Sequence, residues 1–130
     1  MSLLPQALVV DDESSVRGFI SEVLRSDDWQ VIEAESADAA FAAMAANEFD
    51  LVFCDVMLGA TDGYTVLRRF RDEQPNARCI LMTGHGSAAG ALDATAIGAF
   101  DYLLKPFSVA DILRISLNPP LIAPVQAGKL

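Results

Sequence analysis

Short apolar runs bounded by polar residues or glycine recur at residues 7–10, 30–34, 51–54, 77–82 and 101–104. Each has the length of a strand. Several are apolar throughout instead of alternating, as strands of a parallel sheet are when both faces are covered. The stretches between them carry a helical period. In the first, Val16, Phe19, Ile20, Val23 and Leu24 fall at helical spacing while Arg17, Glu22 and Arg25 point elsewhere, which predicts an amphipathic helix that buries the five apolar residues. Ser36 is placed to cap a second, alanine-rich helix that buries Ala40, Phe41 and Met44 and ends at Asn47. A third helix is expected over 63–73, stopped by Pro75. A fourth, over 87–97, contains Gly90 and has few large anchors. Glycine costs a helix interior about 1 kcal/mol relative to alanine, so this helix is expected to be the least firmly held. A fifth begins near Ser108, after Pro106, with Val109, Ile112, Leu113 and Ile115 to bury, and ends before Pro119-Pro120.

Strand starts near residues 7, 30, 51, 79 and 101 lie 21 to 28 residues apart, enough for one strand, one crossover helix and two short loops. The economical fold is a (βα)₅ domain over residues 6–117, followed by a tail or linker at 118–130. Right-handed crossovers place helices on both faces of a doubly wound parallel sheet. The ligand crevice then lies at the carboxyl ends of the strands, where strand order reverses.

Composition narrows the function classes. With 52% hydrophobic residues in 130 positions the chain can bury one core. Nine basic against 18 acidic residues leave a formal charge of −9, so direct nucleic-acid binding is not expected. The longest uncharged stretches are broken by glycine or proline and are too short for a bilayer span. The start, Met1-Ser2-Leu3-Leu4-Pro5, lacks the pattern of a secretory signal, which makes the cytoplasm the expected location. Cys54 and Cys79 both lie in apolar runs and read as free core thiols.

The polar residues that follow the strands are Asp11-Asp12, Asp55, Thr83 and Lys105, all at one edge of the predicted sheet. Crowded carboxylates repel, and a hard divalent cation such as Mg²⁺, which takes oxygen ligands, relieves that repulsion. A carboxylate beside such a cation can act as a nucleophile toward phosphorus. Lys105, one of two lysines, directly follows Tyr102-Leu103-Leu104 and so stands at a strand end. Taken alone it also reads as an ordinary snorkelling lysine, and Thr83 alone is uninformative.

Together, Asp11-Asp12-Glu13, Asp55-Val56-Met57-Leu58, Asp62-Gly63, Met82-Thr83-Gly84 and Lys105-Pro106-Phe107 resemble the receiver domain of two-component response regulators. The resemblance spans about residues 6–117 and implies a flavodoxin-like sheet of order 2-1-3-4-5. It implies Asp55 as phosphoacceptor, and Mg²⁺ held by Asp12, Asp55, the Met57 backbone carbonyl and waters, one of them fixed by Asp11. It implies Lys105 and Thr83 on the phosphoryl group, the Gly84 amide beside them, Tyr102 swinging inward, and a cis Lys105-Pro106 bond. The implied phosphodonor is a histidine kinase or a phosphotransfer protein, and the output is binding to an effector domain or target protein that the sequence does not name. Receivers are either monomers or phosphorylation-dependent homodimers, and the face of the fourth helix, fifth strand and fifth helix is the implied partner surface.

Two residues depart from the family pattern. Gly59 stands where proline is frequent, which suggests a more mobile loop, and Gly84 stands where alanine is common. Met57, which offers neither donor nor strong acceptor to a water, points to slow autodephosphorylation, or else merely covers the pocket edge. His85 reads as an exposed loop residue, and Glu13 as a residue favourable to a helix dipole rather than a ligand. A haloacid-dehalogenase-like hydrolase needs a second Asp where Met57 stands, and a flavin carrier needs a first loop that attracts phosphate. The remaining rival is a receiver-shaped scaffold that works without phosphorylation.

Overall fold

The computed structural model describes residues 4–84, 99 and 101–117. Five parallel strands, β1 (Gln6–Val10), β2 (Gln30–Ala34), β3 (Leu51–Asp55), β6 (Arg78–Thr83) and β7 (Asp101–Leu104), form one sheet in the order β2-β1-β3-β6-β7. Two further strands, β4 (Met57–Leu58) and β5 (Thr61–Asp62), form a small antiparallel hairpin outside it, so the sheet order is the expected 2-1-3-4-5 with the hairpin left out of the count.

Successive side chains of a strand leave opposite faces of the sheet, and here both faces are covered. Leu8, Val10, Val52, Cys54, Cys79 and Leu81 meet Ala37, Ala40 and Met44 of α2 (Ala37–Ala46) and Val66, Leu67 and Phe70 of α3 (Gly63–Glu73). Ala7, Val9, Phe53, Ile80 and Met82 meet Ile20, Val23 and Leu24 of α1 (Ser14–Ser26) and Ile112 and Ile115 of the helix Val109–Ser116. This is why β3 and β6 show no alternation: every residue of both is buried. The two cysteines are buried and unpaired. Burial pushes the Cys79 thiol up to about 12 and raises Cys54 as well, so both behave as core residues.

Helix ends follow local chemistry. The Ser36 side chain accepts from the Ala39 amide and Asn47 follows the last turn of α2. Asp62 caps α3 by accepting from Thr65, and Ser108 and Asp111 form a reciprocal capping box at the start of Val109–Ser116.

Five residues expected in the core are not fully buried. Phe19 is 38% exposed and Val109 46% exposed, because the contact stripe of α1 centres on Ile20, Val23 and Leu24 and Val109 occupies the first turn of its helix, ahead of the sheet contact. Val16, Phe41 and Leu113 are only partly buried at the margins of their clusters. Gly59 has φ +78° and begins the two-residue turn between Leu58 and Thr61, the type II′ geometry that favours glycine at its first central position. The expected fourth helix over 87–97, His85 and the tail at 118–130 lie outside the described residues.

Candidate functional site

Parallel strands in register present their carboxyl ends together. Val10 pairs with Cys54, Asp55 with Met82 and Thr83 with Leu104, so Asp11, Asp55, Thr83 and Lys105 emerge at one edge. Lys105 is the bridge. Its Nζ lies 2.9 Å from Asp11 Oδ2 and 3.0 Å from Asp55 Oδ2, with Glu13 Oε1 at 3.5 Å. Burial pulls the Lys105 pKa down, but hydrogen bonds and charges from Asp11 and Asp55 outweigh it, and the net value stands above that of ordinary lysine. The Lys105 amide donates to the Thr83 carbonyl at 2.7 Å, which ties the end of β7 to β6, and the Lys105-Pro106 bond is cis.

The acidic groups are held in detail. Asp11 is wholly buried, and its Oδ1 accepts from the Glu13 amide at 2.9 Å. Asp55 is 7% exposed, and its Oδ1 accepts from the Met57 amide at 3.2 Å. Asp12 is exposed at the rim. Carboxylate oxygens of Asp11, Asp12 and Asp55 lie within 4.8 Å of one another, a cluster of hard oxygen donors of the kind Mg²⁺ or Ca²⁺ takes. A cavity of about 350 Å³ is lined by Asp12, Glu13, Asp55, Met57, Thr83, Gly84 and Lys105. Thr83 is buried within it, while Met57 is 65% exposed at its mouth. Tyr102 is partly buried and packs against the core cluster on the α2–α3 face.

Two residues matter more than their sequence context suggested. Glu13 holds the N-cap position of α1 with no side-chain capping bond, and its carboxylate reaches Lys105 instead. At the N-cap that carboxylate also stands beside the helix N-terminus, where a negative charge is favourable. Gly63 lies against the end of β3: its amide donates to the Val56 carbonyl at 2.6 Å, and an added Cβ would meet the backbone of Asp55 and Val56. The Asp62-Gly63 pair was visible in the sequence, but the clash that excludes a side chain was not.

A doubly wound sheet with a lysine-bridged acidic pocket at its carboxyl edge agrees with the receiver-domain resemblance of the sequence. The family model described as the response regulator receiver domain matches residues 7–116, and the chain belongs to that family. It is 38% identical over 109 residues to the alginate biosynthesis transcriptional regulatory protein AlgB of Pseudomonas aeruginosa, covering 84% of this chain and 24% of that protein. It is 33% identical over 106 residues to the transcriptional regulatory protein ResD of Bacillus subtilis, covering 82% of this chain and 44% of ResD. The chain thus spans less than half the length of either. A crystal structure of a response regulator protein from Burkholderia pseudomallei, with a phosphorylated aspartic acid, calcium ion and citrate, superposes with a TM-score of 0.79 at 33% identity, covering 84% of this chain and 64% of that one. The beryllofluoride-activated NtrC4 receiver domain dimer also superposes at 0.79, with 31% identity over 84% of this chain and 90% of its own. Among the described residues no helix is long and apolar enough to cross a membrane.

Proposed function

We propose that the chain is a phosphorylation-controlled switch whose output is binding, not turnover, and that Asp55 is its phosphoacceptor. The observation that carries this is Asp55 Oδ2 held 3.0 Å from Lys105 Nζ at the floor of an open acidic cavity. A carboxylate oxygen of Asp55 attacks the phosphorus of a phosphohistidine on a histidine kinase or phosphotransfer protein. The P–O bond forms as the P–N bond breaks, and the departing imidazole takes up a proton. Asp12, Asp55 and the Met57 carbonyl would hold Mg²⁺, with Asp11 acting through a water. The cation, when bound, neutralises charge on the transferring phosphoryl oxygens. Lys105 contributes a second positive group on the same oxygens.

Phosphorylation adds about 1.5 to 2 negative charges at Asp55. Thr83 and the Gly84 amide then hydrogen-bond a phosphoryl oxygen, Tyr102 turns inward, and the surface built on β7 and the helix Val109–Ser116 changes its partner preference. The partner is an effector domain or target protein, or a second copy in a phosphorylation-dependent homodimer, in the cytoplasm. The exposed thioether of Met57 cannot orient a water, which supports a slow autodephosphorylation.

Intact-mass measurement after incubation with a small-molecule phosphodonor and Mg²⁺ tests this. A single phosphoryl adduct, absent in Asp55→Asn and after chelation, is expected. Mg²⁺ binding without any adduct would overturn the switch and favour a phosphorylation-independent scaffold.

A further inference from the structure

The acidic pair is held from behind by a residue whose place in the sequence pattern assigned it only to the polar side of α1. Arg17 Nη1 donates to the backbone carbonyl of Asp11 at 2.8 Å, and its Nε lies 3.4 Å from Glu33 Oε1 on β2. Arg25 Nη1 lies 3.7 Å from the other Glu33 oxygen. The Arg17 side chain is 16% exposed against 54% for Arg25, so its guanidinium is lodged between the two elements instead of extending into solvent.

The carbonyl it holds belongs to the peptide that joins Asp11 to Asp12. A peptide unit is planar, so holding its oxygen restrains the tilt of the plane and, with it, the position of Asp12 Cα, from which the side chain departs. On the other side the Asp11 amide is tied to the Ala34 carbonyl at 3.1 Å. Asp12 depends on this more than its neighbours do. It is exposed, and among the described residues no hydrogen bond or ion pair holds its carboxylate, whereas Asp11 and Asp55 are both fixed by Lys105.

We propose that Arg17 is a positioning residue for the divalent-cation site, acting through the Asp11–Asp12 peptide and braced by Glu33. The proposal rests on the reading of Asp11, Asp12 and Asp55 as a Mg²⁺ cradle. Its sign separates it from a plain charge effect. A guanidinium near the acidic cluster repels a cation, so loss of that charge alone tightens Mg²⁺ binding. Loss of the brace weakens it, and groups that orient metal ligands typically account for 10–100-fold in affinity. Arg17→Lys keeps the charge, but it is shorter and lacks the planar guanidinium whose separate nitrogens, Nη1 and Nε, face the carbonyl and Glu33.

Calorimetric titration of Mg²⁺ into the wild-type chain, Arg17→Gln and Arg17→Lys decides the matter, with thermal unfolding in chelator as the check on folding. The expected result is roughly 10-fold weaker binding in Arg17→Gln and an intermediate loss in Arg17→Lys. Unchanged or tighter binding in Arg17→Gln overturns the positioning role. If Arg17→Gln fails to fold, Arg17→Lys carries the test, and wild-type affinity there overturns it. A wild-type chain that takes up no Mg²⁺ overturns the cradle itself and the role of Arg17 with it, an outcome distinct from normal wild-type binding with unaffected variants.

Discussion

In a Gly63→Ala variant the new methyl group has nowhere to go. Gly63 is buried at the start of α3, and its Cβ would lie inside the contact distance of the Asp55 carbonyl oxygen, 2.9 Å from the Asp55 carbonyl carbon and 3.0 Å from Val56 Cα. Ordinary contact begins near 3.4 Å, so the carbon alone requires the segments to part by 3.4 − 2.9 = 0.5 Å, and the oxygen requires more. Every atom met is backbone, so no rotamer change relieves the clash. Overpacking of this kind costs about 1–3 kcal/mol, and the upper end is expected here. The displaced segment carries Asp55, and for the phosphoacceptor role proposed for it a shift approaching 1 Å can cost roughly 10²-fold in rate. Urea unfolding followed by the fluorescence of Trp29, the single tryptophan, reads the first effect, and the growth rate of the phosphoryl adduct reads the second. Gly18→Ala is the control. A Cβ there meets nothing within 4 Å, and the exposed helical position should gain about 0.5–1 kcal/mol. If Gly63→Ala unfolds within about 0.5 kcal/mol of wild type and is phosphorylated at the same rate, the close approach does not constrain the site.

Removing Lys105 as Lys105→Met leaves two closely placed buried carboxylates without their cation, and a loss of about 3 kcal/mol is expected in chelator. Because the folded-state pKa of Lys105 is raised, its contribution is fully present below the ordinary lysine value of 10.5 and is lost as pH rises through the higher folded value. The gap between wild-type and variant urea midpoints should therefore stay constant from pH 7 to 9. A gap that already shrinks in that window would contradict the ion pairs. Gly59→Pro should destabilise the hairpin by more than about 1 kcal/mol, since proline is held near φ −65° while Gly59 sits at +78°. An unchanged midpoint would show that the β4–β5 turn can take another form.

Strand positions, the cap at Ser36, the start of the last helix near Ser108, and the gathering of Asp11, Asp55, Thr83 and Lys105 at one edge were all legible in the sequence. Each depends on local periodicity or on a rule of parallel topology that does not need coordinates. The sheet order came from the family resemblance, because local pattern does not say which strands are neighbours. What tertiary structure alone decided are distances between residues far apart in the chain. Lys105 could be placed at a strand end, but its sharing between Asp11 and Asp55 depends on three strands meeting in register. Glu13 and Arg17 looked like helix-start and solvent-face charges, yet one turns to the lysine and the other to a backbone carbonyl. Phe19 fits the helical stripe by period and is nevertheless exposed, because period gives an angle around the helix axis and not the width of the surface it meets. Gly63 shows the same limit for backbone: a turn preference is local, but the absence of room for a Cβ is set by a strand that packs against it.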